Sequence, residues 1–170
     1  LTVFAEILGR WSRTKRFVVN VTMMNRLPVH EEVEQLVGEF TSNVLLEIDA
    51  TREASLAERA QAIKTQLQSD LRHGLFSGVD FIRELLRARS GGSAVRMDVV
   101  FTSYLRFAEP YRKNYTWRNV EDLSTARLGY NHTRTSQVAI DHQACEMLDG
   151  SVLLWWDCVD EVFPPRMMDD

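Results

Sequence analysis

Apolar residues along this chain recur first at helical spacing, then in strand-like runs, and the two patterns alternate to its end. Phe4, Ile7, Leu8 and Trp11 stand at positions i, i+3, i+4 and i+7, which predicts an amphipathic helix over residues 1–12. No residue before Leu1 can cap that helix, so the chain is expected to be a fragment of a longer one. Residues 17–24 (Phe-Val-Val-Asn-Val-Thr-Met-Met) are β-branched and apolar, and predict a buried strand. After Pro28, residues 30–37 read as a short acidic helix, and residues 44–49 as a second strand. Ser55 and Glu58 have the spacing of a capping box. Leu56, Ala60, Ile63, Leu67 and Leu71 then keep helical spacing until Gly74 ends the element. Ser77 can cap a further helix with Val79, Ile82, Leu85 and Leu86 on its apolar side. Residues 90–93 (Ser-Gly-Gly-Ser) predict a loop, residues 99–102 a third strand, and the polar, aromatic residues 109–125 a surface excursion. Residues 137–141 and 152–156 read as strands on either side of Asp149-Gly150, a hairpin signal. Interleaved strands and helices without an internal repeat predict an α/β layered domain.

The hairpin gives a geometric expectation. With Asp149 and Gly150 as a two-residue turn, Asp141 pairs near Cys158 and Gln143 near Trp156. Side chains alternate faces along a strand, so Asp141, Gln143 and Trp156 share one face. Ile140, His142 and Trp155 share the other, and a one-residue slip reverses the assignment. Asp141 stands inside a strand, where aspartate is depleted. A partly buried carboxylate has the profile of a general acid or base, and the competing reading is a strand-end carboxylate facing water. Thr102, followed by Ser103, ends a strand, where a hydroxyl can orient a substrate group or a carboxylate; threonine is also simply a good strand former. Asn20 and Asn25 flank a buried strand, and buried amides pair either within the protein or with a ligand.

Composition narrows the field. The 170 residues (19.6 kDa) are 45% apolar and 26% charged with a net charge of −4, so broad phosphate-backbone binding is not expected. No apolar run is long enough for a bilayer span, and no signal peptide opens the chain, so a cytoplasmic location is expected. Cys145 and Cys158 form no CxxC and lie off register on the hairpin, which predicts core thiols without a disulfide. The four histidines lack zinc spacing, and no GxSxG, P-loop or GxGxxG motif is present.

Four segments in order resemble motifs of the heterocyclization domains of nonribosomal peptide synthetases. They are Ile7-Leu-Gly-Arg-Trp11, Gly38-Glu-Phe-Thr-Ser-Asn-Val-Leu-Leu46, Val99-Val-Phe-Thr-Ser-Tyr-Leu105, and Thr133-Arg-Thr-Ser-Gln-Val-Ala-Ile-Asp141 with Trp156-Asp157. Glu39 stands where the motif usually has Asp, Met97-Asp98 where it has Leu-Pro, and Ser136 where it has Pro. The Asp-x-x-x-x-Asp motif of the family's N-terminal lobe is missing, as is the His-His-x-x-x-Asp-Gly of related condensation domains.

Residues 1–170 therefore resemble the C-terminal lobe alone. The resemblance implies a chloramphenicol-acetyltransferase-like α/β lobe, a mixed sheet flanked by helices, that forms one wall of a tunnel between two lobes. It implies condensation of a carrier-bound acyl or peptidyl thioester with a carrier-bound Cys, Ser or Thr, then cyclodehydration to a thiazoline or oxazoline. Asp141 and Thr102 map onto the family's catalytic pair. Gln137, Ser103 and either Asn25 or Asn20 fall at substrate-facing positions, and Thr41 is structural. No metal or diffusible cofactor is implied, because the phosphopantetheine arms belong to the carriers. The implied partners are the N-terminal lobe, upstream and downstream carrier proteins and a neighbouring adenylation domain. Ordinary peptide condensation, or a lobe that only docks carriers, are the competing functions.

Overall fold

The computed structural model describes residues 1–88, 97–105, 135–146 and 150–168. Helix α1 (Thr2–Trp11) leads into β1 (Arg16–Met24), which pairs antiparallel along its whole length with β2 (Thr41–Asp49). β2 begins at Thr41, earlier than the apolar run predicts, because Ser42 and Asn43 still pair with Met23 and Thr22. Its start is set locally: the Glu39 carboxylate accepts the Thr41 N–H at 2.6 Å.

Residues 30–37 give only a single 3-10 turn, Val33–Gln35. Arg26 holds that turn from below. Its guanidinium donates to the carbonyls of Val33 at 2.5 Å and Leu36 at 2.9 Å, and lies 3.8 Å over the Phe40 ring. A segment tied down through its carbonyls, between Pro28 and Gly38, has no length in which to propagate a helix.

α2 (Leu56–Leu71) starts at the predicted capping box: the Ser55 hydroxyl accepts the Glu58 N–H, and the Glu58 carboxylate accepts the Ser55 N–H at 2.8 Å. α3 (Gly78–Ala88) is entered the same way from Ser77, whose hydroxyl donates to Asp80 at 2.7 Å and accepts the Asp80 N–H at 3.2 Å. Gly78 touches β2 closely: a Cβ there would sit 2.9 Å from Leu45 Cγ. Arg59 on α2 pairs with Glu6 on α1 at 2.5 Å.

The core of the Leu1–Phe101 unit is one face of β1 and β2, on which Val19, Val21, Val44, Leu46 and Ile48 are buried. Phe4 of α1 meets the Phe101 ring at 5.6 Å between centroids. By contrast, no residue of α2 is buried, and Leu75, Phe76, Phe81 and Leu86 in and before α3 are exposed.

β3 (Val99–Tyr104) pairs parallel with β1, and Asn20 aligns with Val100. β4 (Ile140–Glu146) and β5 (Val152–Cys158) form an antiparallel hairpin within the Thr102–Asp170 unit. The five strands make one mixed sheet in the order β2-β1-β3-β4-β5, the α/β class the sequence predicts. The loop expected at 90–93 and the excursion at 109–125 lie outside the described residues.

Candidate active site

The hairpin differs from its sequence expectation by one residue. Asp141 faces Asp157, and Gln143 faces Trp155. Pairing of Glu146 with Val152 leaves an odd number of residues, 147–151, between the strands, where a two-residue turn was expected. Odd and even connections differ in parity, and parity decides the face on which each side chain stands. Asp141, Gln143, Trp155 and Asp157 therefore share one face. Ile140, His142, Ala144 and Trp156 share the other, and His142 meets Trp156 edge-on at 5.7 Å. Gly150 has φ +84°, while Asp149 lies outside the described residues.

β4 also starts later than expected. Gln137 has φ 68°, a left-handed conformation that no strand residue adopts, so Gln137 is an exposed turn residue and does not share a strand face with Asp141. The Val138 N–H donates to the Thr135 carbonyl at 3.2 Å across this turn. The reversal brings the Thr135 hydroxyl to Asp141, where it donates to Oδ2 at 3.4 Å.

Asp141 is only 8% exposed, and its Oδ1 is buried with no hydrogen-bond partner among the described residues. Burial pushes its carboxyl above the usual range. The Thr135 hydroxyl opposes that shift, the Asp157 carboxylate adds to it, and the Gln143 side chain opposes it more weakly. The carboxyl is therefore predisposed to hold a proton that an exposed aspartate would give up. Buried His142 is shifted the other way, downward, by loss of hydration, which favours the neutral imidazole.

Thr102 is buried at 7% exposure and Ser103 beside it is exposed, so these consecutive β3 hydroxyls stand in different surroundings. Thr102, Ser103, Gln137 and Asp141 all belong to the Thr102–Asp170 unit, whereas Asn20 and Asn25 belong to the other. In that unit, Asn20 Oδ1 is buried without a hydrogen-bond partner among the described residues. The Asn25 backbone N–H donates to the Phe40 carbonyl at 2.8 Å and its side chain is half-buried. Cys145 faces Leu153 and Cys158 faces Ile140; both are free and half-buried, not core.

A groove of about 520 Å³ lies over β1 and β2, lined by Val18, Leu45, Asp70, His73, Phe76 and Phe81 among others. It contains none of the candidate residues. Among the described residues no cluster of His, Cys, Asp or Glu is placed to hold a metal ion.

Sequence reasoning placed Gln143 on the face of Asp141 but missed two further neighbours that act on the carboxyl, Thr135 and Asp157. Thr135 and Asp157 both lie within the quoted motif segments. Only the turn at Gln137 and the odd hairpin connection bring them to the carboxylate.

The chain belongs to the condensation domain family, whose model matches residues 1–141. It is 37% identical over 166 residues to phenyloxazoline synthase MbtB of Mycobacterium tuberculosis, covering 98% of this chain and 11% of that protein. It is 38% identical over 165 residues to pyochelin synthetase PchF of Pseudomonas aeruginosa, covering 96% of this chain and 9% of that protein. The chain thus spans about a tenth of the length of these curated relatives.

Among solved structures, the EpoB cyclization-docking bidomain of Sorangium cellulosum superposes with a TM-score of 0.75 at 41% identity, covering 99% of this chain and 32% of that one. The first condensation domain of the CDA synthetase, at 14% identity and a TM-score of 0.62, shares the fold.

Proposed function

We propose that the chain is the C-terminal lobe of a heterocyclization domain in a nonribosomal peptide synthetase, with Asp141 and Thr102 as its catalytic pair. The substrates are an acyl or peptidyl thioester on one carrier protein and a Cys, Ser or Thr on the next, each presented on a phosphopantetheine arm. The N-terminal lobe completes the tunnel, and an adenylation domain lies nearby in a cytoplasmic assembly line. Support comes from likeness to cyclizing relatives over nearly the whole chain.

The amino group first attacks the thioester, forming the amide and releasing the upstream thiol. The side-chain sulfur or oxygen then attacks the amide carbonyl carbon. Its proton leaves, the carbonyl oxygen takes one up, and a cyclic hemiaminal forms. Next the C–OH bond breaks, the hydroxyl departs with a proton as water, and loss of the N–H proton completes the C=N bond. Each half of this sequence moves a proton near neutral pH, where a carboxyl with a raised pKa is matched to the task. The one observation that carries this role is the burial of Asp141, whose Oδ1 has no donor among the described residues. Asp141 delivers the proton to the departing hydroxyl and takes one back, and Thr102 orients it or the hemiaminal. Gln137, Ser103, and Asn25 or Asn20 contact the substrate.

The test uses the complete two-lobe synthetase with an acyl-loaded and a cysteine-loaded carrier, read by intact mass of the downstream carrier. The expected product is one water lighter than the linear amide. Accumulation of the linear amide alone would mean ordinary condensation, and absence of any transfer would mean a docking lobe.

A further inference from the structure

We propose that Thr135 is a positioning residue for ring closure: its hydroxyl, folded back by the left-handed turn at Gln137, fixes the orientation of the Asp141 carboxyl. This rests on the function proposed above and adds a residue to it.

The geometry is specific to the turn. Six residues of extended chain would carry Thr135 about 20 Å from Asp141. Instead its Oγ1 donates to Asp141 Oδ2 at 3.4 Å. Two features of the backbone make that possible: the positive φ of Gln137 and the bond from the Val138 N–H to the Thr135 carbonyl. The contact is to Oδ2, and it leaves Oδ1, which has no hydrogen-bond partner among the described residues, as the oxygen open to a reacting group.

A hydroxyl also suits a carboxyl that changes protonation state. It donates to the carboxylate, and it accepts from the carboxylic acid. The contact therefore survives both halves of a proton shuttle, which a backbone N–H in the same place would not allow. Thr135 is itself exposed, so its own burial gives the fold little reason to require a hydroxyl there.

The experiment compares Thr135→Val, which keeps the shape and removes the hydroxyl, with Thr135→Ser, which keeps the hydroxyl. Both are made in the complete synthetase, with amide and ring products followed separately by intact mass. Loss of this hydrogen bond is expected to slow ring closure by roughly 3- to 10-fold in Thr135→Val. Amide formation should stay within about twofold of wild type by the same conversion, so linear amide accumulates. Thr135→Ser should restore ring closure, and Thr135→Val should add no further loss to Asp141→Ala. Equal slowing of both steps, no rescue by serine, or additive loss in the double variant would each overturn the inference. Ring closure that is normal in wild type and unaffected by Thr135→Val overturns this inference alone. A wild type that makes amide but never ring overturns the functional reading, and this inference with it.

Discussion

Asp141 shows how a single residue records its surroundings in its acidity. Burial raises its native pKa above the ordinary carboxylate value of 3.8. Below that ordinary value both the folded and unfolded chains hold the proton, and Asp141 contributes nothing to the pH dependence. As pH rises through it, the unfolded chain releases its proton first, the folded chain binds more protons, and stability falls. The loss is complete once the raised native pKa is passed. Asp141→Asn, which cannot ionise, should therefore melt at a higher temperature than wild type near pH 7. The two should converge by about pH 3. An asparagine variant no more stable than wild type at neutral pH would show that the carboxyl is not held in a desolvated site. Asp141 was visible in the sequence as an aspartate inside a strand; Thr102 was singled out by the resemblance to the heterocyclization motifs, and it stands within β3 rather than at the strand end expected for it. The sequence placed Gln143 on the same face as Asp141 but did not reveal Thr135 or Asp157, since those depend on the turn at Gln137 and on which residues the hairpin sets opposite.

Elements whose signals are local were legible. The Ser55–Glu58 capping box is present as predicted, and Ser77 caps α3 through Asp80. The hairpin was legible in existence but not in register, because the parity of its connection is not encoded in the strands themselves. The strand expected at residue 137 failed for a related reason. Propensity favours extension through Gln137-Val138, yet Gln137 takes a left-handed φ and β4 begins only at Ile140. This makes a backbone prediction. Gln137→Gly should leave the melting temperature unchanged or raised, since glycine adopts positive φ freely. Gln137→Val should cost about 1–2 kcal/mol, because a β-branched residue is strained there. Thermal denaturation of the two variants decides it. Should valine prove as stable as glycine, the left-handed turn would lose its energetic basis. Activity of the glycine variant separately reads what the Gln137 side chain does for substrate.

The whole chain carries a contrast between its helices. α1 buries Phe4, Ala5 and Leu8. The amphipathic sides predicted for α2 and α3 are only partly covered within this chain: Ile63, Leu67, Ile82 and Leu85 are half-buried, while Leu56, Leu71, Val79 and Leu86 are exposed. Periodicity therefore announced apolar faces correctly without saying what covers them. Extended apolar exposure of this kind marks interaction surface, in keeping with the proposal that the chain works as one lobe of a larger assembly. The central claim concerns chemistry at Asp141, and one comparison tests it most directly: wild-type and Asp141→Ala synthetase, given the same acyl- and cysteine-loaded carriers, with both products timed by intact mass. The account predicts linear amide at a near-normal rate in the variant, with ring formation slowed by about 100-fold or more. Ring formation at the wild-type rate in Asp141→Ala would contradict it.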